Sequence, residues 1–234
     1  MGIFGHSSRI LVSTSNVTLS LSAWTCLGFD VLLSDSVDAP TFARLTDGQV
    51  IITLLNDGFP NPSLAYFSEA VPRVLQRAKD KSVPVDTANP NEPIVHGPGG
   101  LDVFLHHLKR ESAILPSRAQ NPALGYFDVL LVRVADVQAS RTWAESAGFL
   151  VETVTTGAVP RIDMTDGVSR IGFLQSEQSG RELVYISQFG DDFVQELSEL
   201  DGVTCDLSTL PDGTILFVRL TMPEGTLITI VNED

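Results

Sequence analysis

A tripeptide that occurs twice constrains this chain more than any other feature. Thr46-Asp47-Gly48 lies between the apolar alternating runs Thr41–Leu45 and Gln49–Leu55. Thr165-Asp166-Gly167 lies between Arg161–Met164 and Val168–Gln175. Asp-Gly between such runs is a short-range hairpin signal. The two copies are 119 positions apart, and the interval recurs. Gly28-Phe29 answers Gly148-Phe149 at 120, Asn16 answers Asp136 at 120, Tyr66 answers Tyr185 at 119, and Val83 answers Val203 at 120. The 234-residue chain therefore reads as a duplication of about half its length.

Within the first copy, Arg9–Ser13 reads as a strand and Val17–Leu27 as a helix. Asn16 is its N-cap, Gly28 its stop, and Leu19, Ala23, Trp24 and Leu27 its apolar side. A strand from Asp30, the Asp47-Gly48 hairpin, a strand Ser63–Glu69 and a helix Pro72–Lys81 follow. Val83–Glu92 carries two prolines and reads as an irregular strand. A last hairpin turns at Gly97-Pro98-Gly99-Gly100, which lacks the following helix and basic residue of a phosphate loop. The second copy repeats this order from Phe127, with Asp136 as N-cap and Gly148 as stop. The fold class is α+β, with four βαβββ units. The expected domains are 1–108 and 125–234, joined by a linker over 109–124.

The net charge of −14 repels polyanions, so neither nucleic acid nor an anionic membrane is an expected partner. No run reaches the ~18 apolar residues of a membrane helix. The N-terminus has no basic segment leading into an apolar one, so no secretory signal is expected. Cys26 and Cys205 are the only cysteines, which fits reduced thiols in a cytoplasmic protein.

The order of elements resembles the vicinal oxygen chelate superfamily, which includes glyoxalase I, the bleomycin-resistance proteins and the extradiol dioxygenases. The residues that carry the resemblance are Asn16 with Gly28-Phe29 and Pro98-Gly99-Gly100, then Asp136 with Gly148-Phe149 and Pro223-Glu224-Gly225. The resemblance implies that the four units form two cup-shaped sheets, mixed but mainly antiparallel, with helices outside, around ligand cavities. It also implies a divalent metal at a cup floor, held from the first strand of a unit, the first strand of its partner unit and the last strand. Such a metal chelates adjacent substrate oxygens or activates dioxygen. The corresponding positions here are Arg9 and Phe104 in the first copy, and Val129 and Thr229 in the second. The partner-strand position falls near Ser63 or Leu64, and near Glu182, where Glu182 alone can ligate. No cofactor and no metal at this site are therefore expected.

All four histidines, His6, His96, His106 and His107, lie in the first copy. Strand alternation puts Asp102, Phe104 and His106 on one face, with His96 across the hairpin. Arg9 belongs to the first cup and Arg133 to the second, while the direction of Arg44 is open. A buried arginine needs an anionic partner, from the protein or from a ligand. The candidate ligand-binding residues are Arg9, Asp102, Phe104, His106 and Arg133, and no catalytic residue is assigned. The first reading is a monomer or homodimer that sequesters a small organic molecule in a cup. The second is a lyase, isomerase or dioxygenase with a non-standard metal site around His96, Asp102, His106 and His6. Glu182 is a further candidate for such a site. The third is a degenerate copy kept for its dimer surface.

Overall fold

The two Asp-Gly turns form with the same set of bonds. Thr46 Oγ1 accepts from Gly48 N at 2.9 Å and donates to Val50 O at 2.7 Å. Asp47 Oδ1 accepts from the backbone N of Gln49 (2.8 Å) and Val50 (2.9 Å). Thr165 and Asp166 make the equivalent bonds at 2.8–3.0 Å. Because the aspartate takes these N–H groups, the strands after the turns begin later than alternation alone places them, at Ile51 and Arg170.

The computed structural model describes residues 3–108 and 123–233. Nearly all of the expected linker lies outside them. In chain order the elements are β1 Ser7–Ser13, α1 Val17–Cys26, β2 Asp30–Ser34, β3 Phe42–Thr46, β4 Ile51–Leu55 and β5 Ser63–Ser68. Next come α2 Val71–Asp80, β6 Val85–Asp86, β7 Ile94–His96 and β8 Asp102–His107. The second copy gives β9 Tyr126–Val134, α3 Val137–Ser146, β10 Leu150–Thr155, β11 Arg161–Thr165, β12 Arg170–Gln175 and β13 Gly180–Ser187. It ends with α4 Asp191–Ser198, β14 Thr204–Thr209, β15 Ile215–Thr221 and β16 Leu227–Asn232. The first sheet has the order β2-β3-β4-β1-β5-β8-β7-β6. The second has β10-β11-β12-β9-β13-β16-β15-β14, the same order with every label raised by eight. Both sheets are mixed, and the architecture is α+β with two cup-like sheets.

Local chemistry fixes the helices. Asn16 accepts from Leu19 N, and Asp136 accepts from Gln138 N and Ala139 N. In α1 the 3.6-residue period buries Val17, Ser20, Ala23 and Trp24, while Leu19 points away and is 43% exposed. Trp24 is fully buried and its Nε1 donates to Glu224 Oε1 at 3.1 Å. No helix of the described residues is long and apolar enough to cross a membrane.

The described residues divide into two compact units: 3–10, 62–108 and 129–181 in one, and 11–61, 123–128 and 182–233 in the other. Each unit draws on both halves of the sequence. The core of the first includes Phe4, edge-on to Tyr66 at 5.4 Å and to Phe149 at 6.4 Å. The core of the second includes Trp24 against Phe29 at 4.9 Å and Phe127 against Tyr185 at 5.3 Å.

Candidate functional site

Strand β8 of the first unit displays Asp102, Phe104 and His106 on one face, and register sets their neighbours. On β7, His96 stands opposite Asp102 and Ile94 opposite Phe104. On β5, Ala65 stands opposite Phe104 and Phe67 opposite His106. His96 Nδ1 and Asp102 Oδ1 are 2.7 Å apart. The His106 ring stacks on Phe67, with centroids 5.3 Å apart and planes 21° from parallel. The Arg9 guanidinium lies 4.3 Å from the centre of the Phe67 ring, a cation–π contact. Glu92 Oε1 is 3.8 Å from His106 Nε2. Burial, helped by the positive charge of Arg9, lowers the pKa of His106, so the imidazole is neutral at pH 7 and can donate or accept one bond.

Four of the sequence candidates, Arg9, Asp102, Phe104 and His106, thus belong to one unit, and Phe67 links Arg9 to His106. Arg133 is on β9 of the same unit, beside Gly180. The side chain of His6 is exposed, and its backbone N donates to Phe67 O at 3.0 Å. Phe67 had no sequence signal, because its role follows from the β5–β8 register. A groove of about 550 Å³ bordered by Ser187, Phe189, Asp191 and Phe193 belongs to the other unit and holds none of these residues.

The turn before β8 fixes the His96–Asp102 pair. Arg181 Nη1 donates to Gly100 O. Gly97 lies against the Trp143 ring, whose nearest atom is 3.0 Å from where a Cβ would stand. Gly99 has φ +61°, and a Cβ there would meet Val132 Cγ1 at 2.6 Å and the Arg133 carbonyl oxygen at 2.7 Å. The glycines therefore serve close packing, Gly97 on α3 and Gly99 on β9. Gly99→Ala combines a left-handed backbone with a collision against backbone, and is expected to cost about 2 kcal/mol. A urea midpoint equal to that of the parent would show that the turn yields without strain.

In the second unit the residue types at the implied metal positions are engaged with one another. Glu182 is 2% exposed. Thr229 Oγ1 donates to Glu182 Oε2 at 2.6 Å, and Arg219 Nη2 is 3.3 Å from the same oxygen. Arg219 Nε also donates to Thr229 Oγ1 at 3.3 Å, and the two residues are register partners on β15 and β16. A guanidinium thus answers the charge of the one carboxylate at a ligand position. Among the described residues, no three His, Cys, Asp or Glu side chains come together as a metal site.

No family model matches the chain, and no curated protein matches it. Solved structures do. A catechol 2,3-dioxygenase superposes with a TM-score of 0.63 and 16% identity, over 100% of this chain and 89% of that one. The homoprotocatechuate 2,3-dioxygenase of Arthrobacter globiformis gives 0.63 and 15%, over 100% and 80%. A point variant of the Brevibacterium fuscum enzyme gives 0.63 and 14%, over 100% and 72%. At such identities the likeness is one of fold. The chain has the fold of these dioxygenases.

Proposed function

We propose that the protein binds a small organic molecule at Arg9, Asp102, Phe104 and His106, and that it does so without a resident divalent metal. The observation that carries this reading is the Arg9–Phe67–His106 stack. It sets a guanidinium and a neutral imidazole beside aromatic surface, the mixture that small-molecule sites tend to show. The metal-free part is supported by Arg9, Phe104, Val129 and Thr229 at the implied ligand positions, and by the engagement of Glu182 with Arg219 and Thr229. Those residues do not fit a divalent ion. The net charge of −14 and the two cysteines favour a cytoplasmic protein with no nucleic-acid or membrane partner, and a monomer or homodimer is part of the same proposal.

The test is a thermal-shift screen of small organic acids, amides and phenols on the full chain. Asp102→Ala/His106→Ala is expected to weaken the best compound at least about tenfold, because two polar partners are lost. Arg133→Ala is expected to leave it unchanged. Loss in the Arg133 variant alone would move the site to β9. Elemental analysis showing one zinc, iron, manganese or nickel per chain would refute the metal-free reading, since a tight site survives purification.

A further inference from the structure

Arg44 is the one arginine whose direction the sequence left open. It is on β3 of the second unit, with Leu33 of β2 opposite on one side and Thr53 of β4 opposite on the other. Side chains directly opposite one another in a ladder point to the same face. Alternation adds Phe42 and Leu55, themselves a register pair, to that face. The other face of these strands carries Ala43, Leu45, Ile52 and Leu54, all fully buried, with α1 packed against β3 and β4. Arg44 and Thr53 therefore occupy the face away from the helix.

Two buried donors on that face lack acceptors. Arg44 Nε and Thr53 Oγ1 are both shielded from solvent, and neither has a hydrogen-bond partner among the described residues. Thr53 as a whole is 4% exposed. The Phe42 ring, 5.6 Å from the guanidinium carbon, offers a π contact and no acceptor. Burial lowers the pKa of Arg44 and no carboxylate acts against it, yet a guanidinium stays charged in a protein. A charge held this way is costly unless an anion joins it.

The repeat shows what is missing. At 119–120 positions on, Leu33, Phe42, Arg44 and Thr53 become Thr153, Arg161, Asp163 and Gly172. There the buried carboxylate of Asp163 accepts from Arg161 Nε at 2.8 Å and from Thr153 Oγ1 at 2.8 Å. The second copy holds a complete internal ion pair at this ladder position. The first copy holds its cationic half and a hydroxyl donor, framed by apolar side chains.

We infer that Arg44 and Thr53 form a binding site for the carboxylate of a small organic acid whose apolar body lies along Phe42, Leu33 and Leu55. The Arg44 fork and the Thr53 hydroxyl supply donors to the two carboxylate oxygens. The apolar frame favours an organic acid over inorganic phosphate. This site belongs to the other unit from Arg9, Asp102, Phe104 and His106, so it goes beyond that reading and stands or falls separately from it.

Hexanoate, hexanamide and inorganic phosphate are the probes, added at millimolar concentration to the ¹⁵N-labelled full chain. The readouts are the Arg44 Nε–H signal and the melting temperature. Hexanoate is expected to move the signal and raise the melting temperature, and hexanamide to bind at least about tenfold more weakly. Arg44→Gln is expected to lose at least about tenfold in hexanoate affinity, and Thr53→Val several-fold. If Arg44→Gln does not fold, Thr53→Val and the Nε–H signal decide the matter. An unmoved signal, an Arg44→Gln variant that binds as the parent does, or a response to phosphate with none to hexanoate would each overturn the inference. Hexanoate binding that survives Asp102→Ala/His106→Ala and fails in Arg44→Gln would keep this site while removing the one at His106. The reverse pattern would do the opposite.

Discussion

Arg219→Gln is expected to destabilise the protein by about 3 kcal/mol, and Glu182→Gln in the same chain to restore most of that loss. The reason is the asymmetry of buried ion pairs. Removing one partner strands a charge, whereas removing both charges leaves two polar groups that still bond. Glu182 is 2% exposed, so water cannot replace the guanidinium. The Arg219 side chain is 31% exposed, which places the expected cost at the low end of the usual range for broken buried pairs. Thr229 remains as a donor to Glu182 Oε2 when Arg219 alone is replaced, and can donate to the amide oxygen that Glu182→Gln leaves there. Denaturant unfolding of the parent, both single variants and the double variant gives the coupling directly. A loss in Arg219→Gln that Glu182→Gln leaves undiminished would show that Arg219 acts by packing on Phe217, 5.3 Å away, and not by its charge.

What the sequence discloses and what it hides divide along the range of the interaction. The Thr-Asp-Gly turns, the Asn16 and Asp136 caps and the stops at Gly28 and Gly148, both at φ +85°, depend on groups within four residues of one another. They were therefore legible, as was the shared face of Asp102, Phe104 and His106. The partners of those residues were not. Phe67 meets His106 through a parallel ladder, Glu182 meets Arg219 through two ladder steps, and Gly99 meets Val132 across the repeat. No local pattern encodes such registers. Val83–Glu92 gave only the two-residue β6, because its prolines remove the N–H groups a longer ladder needs. Trp143 likewise meets Gly97 at long range: it is only partly buried, stands against that glycine, and its Nε1 has no partner among the described residues.

The repeat itself leads to the largest pH effect. Tyr185 and Asp47 come from different copies and meet inside one unit, where Tyr185 Oη donates to Asp47 Oδ2 at 2.9 Å. Tyr66 faces Asp166 and Ser169 in the other unit, without a fully formed bond. Both phenols are fully buried. Burial first, and the neighbouring aspartate second, push both pKa values well above the ordinary value of 10.0. A raised folded-state pKa fixes the sign. Below pH 10 both phenols are neutral in both states, and folding is independent of pH through them. Above it, the unfolded chain releases two protons that the folded chain retains, so stability falls as pH rises. Each proton contributes about 1.4 kcal/mol per pH unit, and the two together about 2.7 kcal/mol. Other groups contribute to the slope as well, so the informative quantity is a difference between variants. Urea unfolding from pH 9 to 11.5 should give a slope that drops by about half of the tyrosine contribution in Tyr185→Phe and by all of it in Tyr66→Phe/Tyr185→Phe. Tyr185→Phe should also cost about 2 kcal/mol at pH 7, because Asp47 loses a buried donor. Parallel slopes for the parent and the double variant would mean that both hydroxyls reach water, and that the turns of one copy are not sealed against the strands of the other.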